Sequence, residues 1–170
     1  MSKIKLKKEL QNMSREQLLD IILNVYDARK EAREYFEFFL NPDSDALLEK
    51  YCAMIQKEVM RAKRGNRAKF RISVIKGLIK NFQSFDSGPE YVLRLISFAF
   101  MQVMRYSRIL YYSNTQDNAA AKLACAMLDY ADKHLMFDRA VKDIELVLSD
   151  ERNSSTYLNR IVREALDQRQ

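Results

Sequence analysis

Glycine and proline are scarce in this chain, three and two residues in 170. That scarcity excludes collagen-like, linker-rich and turn-rich all-β architectures, which need those residues to punctuate the backbone. Tryptophan is absent, and neither Cys52 nor Cys125 has a second cysteine or a histidine at ligand spacing. A disulfide framework and a zinc site are therefore not expected, and both thiols read as reduced and cytosolic. Histidine occurs once, at His134. It follows Asp132-Lys133 near a helix end, where the helix dipole favours it without any catalytic role. No Glu-x-x-His occurs, so a di-iron bundle lacks its ligands. Asp20 with Asp27, and Asp129 with Asp132, share helical faces by spacing, which is also the spacing of ordinary surface charge. No catalytic residue, cofactor or metal is expected. Long apolar runs are missing too: the longest uncharged stretch, Leu95 to Met104, is half of the roughly 20 residues that a membrane span needs. Lys3, Lys5, Lys7 and Lys8 precede no apolar run, so a secretory signal is not expected and the cytoplasm is the expected location.

What is present is helical periodicity. A chain of 170 residues buries roughly 70% of its unfolded surface, enough for a core without staples. A short, basic, peripheral helix is expected over 1–12. Ser14 and Gln17 form a capping-box pattern that opens a second helix with Leu18, Leu19, Ile22, Val25 and Tyr26 at helical spacing. Helix continues from Glu31 to Leu40 until Asn41-Pro42-Asp43 stops it. The next helix runs from Ser44 to about Ala62 and presents Leu47, Leu48, Tyr51, Met54, Ile55 and Val59 as one apolar face. Residues 63–71, with Gly65 and Asn66, read as a basic connecting loop. Ser73 reads as the cap of a helix that buries Ile72, Ile75, Leu78, Ile79 and Phe82. Asp86-Ser87-Gly88-Pro89 is the clearest punctuation, and Pro89 suits the first turn of a central helix, Glu90 to Tyr112. Helices from Asp117 to Leu135, Asp138 to Leu148 and Ser155 to Leu166 complete the chain. The expectation is one all-α domain over 1–170, a bundle of seven or eight antiparallel helices. Stacked hairpins of a short α-solenoid are the alternative, less favoured because no fixed-period repeat is found.

The net charge of +6 is local. Lys57, Arg61, Lys63, Arg64, Arg67, Lys69, Arg71, Lys76 and Lys80 face one acid, Glu58, giving this window +8, while the other 146 residues sum to −2. On the central helix Arg94, Arg105 and Arg108 fall within roughly 60° of one another, with no acid between Tyr91 and Gln116. These twelve cations are candidates for an anion surface that contacts phosphates. No glycine-rich phosphate cradle, aromatic RNA-binding signature or zinc finger accompanies them. A helix-turn-helix across Ile72 to Phe100 is disfavoured because its second helix is too apolar to read a groove.

Aromatics cluster at Tyr35-Phe36, Phe38-Phe39 and Tyr111-Tyr112, mostly as core. Consecutive aromatics cannot all face one core, so at least one from Tyr35 to Phe39 should meet another helix, solvent or a partner. The expected function is a non-enzymatic interaction module that binds an unknown protein partner or a second copy of itself. Nucleic-acid or polyanion binding through 57–80 is the alternative, and no membrane partner is expected.

Several segments together resemble a known family: Leu6-Lys7-Lys8-Glu9-Leu10, Ser14-Arg15-Glu16-Gln17-Leu18, Tyr35-Phe36-Glu37-Phe38-Phe39-Leu40-Asn41-Pro42, Lys63-Arg64-Gly65-Asn66 and Pro89-Glu90-Tyr91. The chain is similar over about its first 110 residues to an uncharacterised family of Bacteroides-like bacteria, catalogued as a domain of unknown function. The resemblance implies a small, cytosolic, helical bacterial protein and carries no activity. Relatives have acidic and aromatic residues after the central helix where this chain has Ser113-Asn114-Thr115-Gln116.

Overall fold

Local sequence signals decide where each helix begins and ends, as the computed structural model shows for residues 2–150 and 156–168. The order is α1 (Lys3–Gln11), α2 (Arg15–Ala28), α3 (Lys30–Leu40), α4 (Ser44–Val59), β1 (Ala62–Lys63), β2 (Arg67–Ala68), α5 (Ile72–Gln83), α6 (Pro89–Tyr106), α7 (Asn114–Lys133), α8 (Phe137–Ser149) and α9 (Thr156–Asp167). The all-α expectation holds, with nine helices among the described residues rather than seven or eight. The extra break is at Arg29, whose extended backbone (φ −131°, ψ 117°) separates α2 from α3. Ser155, the expected start of the last helix, lies outside the described residues. The chain forms two compact units, Met1–Asp43 and Ser44–Gln170.

In the first unit, α1 starts where the Ser2 hydroxyl accepts a hydrogen bond from the Lys5 N–H. The capping box at α2 is present in both directions: the Gln17 side chain accepts from the Ser14 N–H at 2.9 Å, and the Ser14 hydroxyl accepts from the Gln17 N–H at 3.2 Å. Tyr26 and Phe36 join α2 to α3 with ring centroids 6.4 Å apart, and the Arg33 guanidinium lies over the Tyr26 ring. No residue of α1, α2 or α3 is buried.

The second unit holds the core, and α6 is its centre. This helix packs against α4, α5, α7 and α8, and α7 packs in turn against α8 and α9. The demand on α6 is burial around most of its circumference, which Val92, Leu93, Leu95, Ile96, Ala99, Phe100, Val103 and Met104 meet. Burial on this scale bars α6 from entering a nucleic-acid groove, in line with its apolar sequence. Gly88, at φ 98°, sits in a backbone region that side chains rarely adopt and turns the chain into Pro89 at the first helical position. A part-buried polar link joins α6 to α8: the Ser97 hydroxyl donates to Asp143 Oδ2 at 2.9 Å. Helix α6 ends at Tyr106 rather than Tyr112, and residues 107–111 leave it through a turn.

Helix α7 ends in a Schellman-type turn. The Met136 N–H donates to the Ala131 carbonyl at 2.8 Å and the Leu135 N–H to Asp132 at 3.2 Å. The geometry places Leu135 at φ 60°, the position glycine normally takes, with its side chain 96% exposed. Leu135→Gly therefore removes left-handed strain and loses no packing. It should raise unfolding free energy by about 0.5–1 kcal/mol in urea titration, the strain relieved exceeding the entropy glycine adds to the unfolded chain.

Candidate functional site

The single acid in the basic window is the anchor of the candidate site. Glu58 sits in the last turn of α4 and is itself buried, as are Ile55 and Val59 on the same helix. Its carboxylate takes four hydrogen-bond contacts. Arg61 Nη1 donates to Oε2 at 2.9 Å and to Oε1 at 3.2 Å, the Arg71 N–H donates to Oε1 at 2.9 Å, and Arg71 Nε reaches Oε1 at 3.4 Å. Burial alone disfavours the charged form. The hydrogen bonds from Arg61 and Arg71 outweigh it and hold the carboxyl below its ordinary value.

This clamp joins the residue that enters the hairpin to the residue that leaves it. Between them, residues 62–68 form an antiparallel β-hairpin rather than an open loop, with Ala62 opposite Ala68 and Lys63 opposite Arg67. The turn works because Gly65 (φ 77°) and Asn66 (φ 56°) tolerate left-handed backbone. The Lys69 N–H closes the base by donating to the Arg61 carbonyl at 2.8 Å. Arg71, with its backbone bound to Glu58, is the N-cap residue of α5, so Ser73 falls inside the helix and does not cap it.

The hairpin is pinned along one edge to the segment that follows α6. The Tyr111 N–H donates to the Asn66 carbonyl at 2.8 Å, and the Ala68 N–H donates to the Tyr111 carbonyl at 3.0 Å. Next to it, the Tyr112 hydroxyl donates to the Val103 carbonyl at 2.7 Å and its ring meets Phe70 edge-on. Burial pushes the Tyr112 hydroxyl far above its ordinary value, so it stays a neutral donor. Successive residues of an extended segment face opposite ways. Tyr111, the partner of this anchor, is accordingly 74% exposed. A groove of about 410 Å³ opens here, lined by Lys63, Arg67, Tyr111, Tyr112, Ser113 and Gln116. Gln116 closes a capping box on α7 by accepting from the Ser113 N–H at 3.2 Å. The Ser-x-x-Gln pattern was legible in the sequence and marks the start of α7 at Asn114, three residues before the Asp117 expected.

The twelve candidate cations fall into four groups. Lys63, Arg64, Arg67 and Lys69 are brought together on the hairpin, exposed, with no ion pair among the described residues. Arg61 and Arg71, expected as anion ligands, are instead committed to Glu58. On the central helix, Arg94 meets Asp45 at 3.4 Å and lies over the Tyr91 ring, and Arg108, beyond the helix end, meets Asp150 at 2.8 Å. The expected stripe thus has two of its three charges compensated within the fold, leaving Arg105 exposed. Lys57, Lys76 and Lys80 are exposed on the flanking helices, and Lys76 lines a separate shallow groove with Lys122, Cys125 and Asp129.

Chemistry-bearing groups elsewhere are dispersed. Burial pushes the Cys52 thiol up to about 11, which keeps it protonated near neutral pH. His134 caps the end of α7 with its ring 4.4 Å from that of Tyr130. Among the described residues no group of three or more His, Cys, Asp or Glu is placed to hold a metal.

A model of the family of unknown function DUF6155 matches residues 1–142. The chain belongs to that family. The match reaches past the roughly 110 residues where resemblance was seen, through α7 and into α8, so the hairpin, the Tyr111 segment and the clamp all lie inside the DUF6155 region. No curated protein and no solved structure matches the chain.

Removing the clamp has a calculable cost. Glu58→Gln should lose about 2 kcal/mol of stability at pH 7 by urea titration, since hydrogen bonds to a buried charge are the strong kind. Because its folded value is lowered, the carboxylate's contribution is complete above the unfolded value of about 4.5 and is lost as pH falls through the folded one. The gap between wild type and Glu58→Gln should therefore narrow steadily below pH 4.5.

Proposed function

We propose that this chain is a non-enzymatic helical interaction module of bacterial, cytoplasmic origin, and that residues 1–43 are its self-association element. One observation carries the reading: none of α1, α2 and α3 contributes a buried residue, although α2 and α3 are rich in large apolar side chains. Leu23, Phe39 and Leu40 are 58%, 68% and 71% exposed, and Leu19, Ile22, Val25 and Tyr35 are exposed with them. Units of about 40 residues usually need a disulfide, a metal or oligomerisation to hold together. Of these, only association suits a unit without cysteine or histidine.

Charge supports a second copy as the occupant. Helix α1 carries Lys3, Lys5, Lys7 and Lys8 against Glu9, while α2 and α3 carry six acids against Arg15, Lys30 and Arg33. A two-fold pairing sets the basic helix of one copy against the acidic pair of the other and covers both apolar faces. The scatter of His134, Cys52 and the aspartate pairs favours binding over catalysis.

Sedimentation equilibrium of the full chain at micromolar concentration should fit a dimer. Phe39→Glu combined with Leu40→Glu should shift it to monomer with helicity retained. Leu23→Lys provides an independent disruption should the double variant lose helicity. A monomer at every concentration contradicts the proposal. A stable heterocomplex in place of the dimer reassigns the surface to another protein.

A further inference from the structure

We propose that the β-hairpin and the Tyr111 segment form a binding groove for single-stranded nucleic acid, with backbone phosphates on Lys63, Arg64, Arg67 and Lys69 and a base stacked on Tyr111. Three features converge on this ligand.

First, the hairpin concentrates like charge that no counter-charge among the described residues neutralises. Lys63 and Arg67 are direct cross-strand partners, and like charges placed opposite one another destabilise a strand pair. Arg64 lies in the turn between them, and Lys69 follows one residue past the second strand. No acid among the described residues pairs with any of the four, and Glu58, the one acid in the 57–80 segment, is saturated by Arg61 and Arg71. A polyanion threaded past the hairpin relieves this repulsion and releases counterions as it does so.

Second, Tyr111 is a fixed platform with a bare face. Its backbone is held on both sides, by Asn66 and by Ala68, and its neighbour Tyr112 is anchored to Val103 and Phe70. Tyr111 is left 74% exposed in a groove that it lines with Arg64 and Arg67. Rigid aromatics inside a positive groove are the sequence-tolerant way to hold unpaired bases, because every base has a π-face.

Third, the shape fits a single strand and not a duplex. The groove of about 410 Å³ shares Lys63, Ala68 and Gln116 with one of about 370 Å³, and Arg67 and Tyr111 with one of about 560 Å³. The buried helix α6, which the Tyr111 segment follows, cannot enter a major groove, and the two-residue strands are too short to act as a reading ribbon. Duplex bases are already stacked and gain nothing from Tyr111.

Fluorescence anisotropy with labelled 12-mer single strands of mixed-sequence RNA and DNA, and the matching duplexes, tests the assignment across 20 to 200 mM salt. Single strands should bind more tightly than duplexes, with a log–log salt slope of about −3 for four phosphate contacts. Tyr111→Ala, which removes an exposed ring, should weaken single-strand binding about tenfold and leave duplex binding unchanged. Lys63→Glu with Arg67→Glu should abolish binding of both strands while helicity is retained. The RNA and DNA arms report which sugar the groove prefers. Absence of binding at 20 mM salt overturns the proposal. Equal binding of single strands and duplexes, insensitive to Tyr111→Ala, also overturns it and leaves only a diffuse charge effect. The outcome is independent of self-association, because none of these residues lies in 1–43.

Discussion

The position of one carboxylate decides how the basic segment is arranged. Glu58 is the only acid within a window that carries nine cations, and it is placed inside the fold rather than on its surface. From there it fixes Arg61 at one end of the hairpin and the backbone of Arg71 at the other. A buried carboxylate without partners is costly, so its hydrogen bonds must be made, and making them forces the nine residues between Arg61 and Arg71 to turn back. The repulsion among Lys63, Arg64, Arg67 and Lys69 is thereby overcome by contacts outside the hairpin: the clamp at its base and the Tyr111 strand along its edge. The folded chain consequently carries a concentrated, ordered positive charge instead of a mobile one.

Much of this architecture could be read from the residues, and the parts that could not have a common cause. The capping box at Ser14, the stop at Asn41-Pro42 and the start at Pro89 are local events governed by a few neighbours, and each stands where the sequence puts it. The burial of α6 likewise follows from its composition. What escaped was pairing at a distance. Nothing near Arg94 or Arg108 announces Asp45 or Asp150, which lie more than 40 residues away. Glu58 reaches 13 residues forward to claim Arg71, and that long-range bond displaced Ser73 from the cap. The hairpin escaped because Lys63 and Arg67 as partners contradict ordinary pairing preferences, even though Gly65-Asn66 is a turn signal. Tyr111 could have been separated from Tyr112 on the ground that neighbours in an extended segment face opposite sides.

Two groups of side chains stand outside the accounting of the single chain: the apolar faces of α2 and α3, and the four hairpin cations. Each imposes a cost on the isolated molecule, one by exposing apolar surface and the other by concentrating like charge. The two costs call for different partners, because apolar area is offset by another apolar surface and positive charge by an anion. Membership of the DUF6155 family places both features within one matched region. A chain that associates through its first unit and holds a strand at its hairpin would present two such grooves per dimer, which raises effective affinity for a longer single strand without any new contact.

Hydrogen exchange at individual amides tests the central claim, that Glu58 orders the hairpin. In the wild-type chain at pH 7 the amides of Ala68, Lys69, Arg71 and Tyr111 should be protected. In Glu58→Gln those four should lose protection together while the amides of α6 and α7 keep theirs. Equal protection in both proteins, or a hairpin that exchanges freely even in the wild type, would contradict the account.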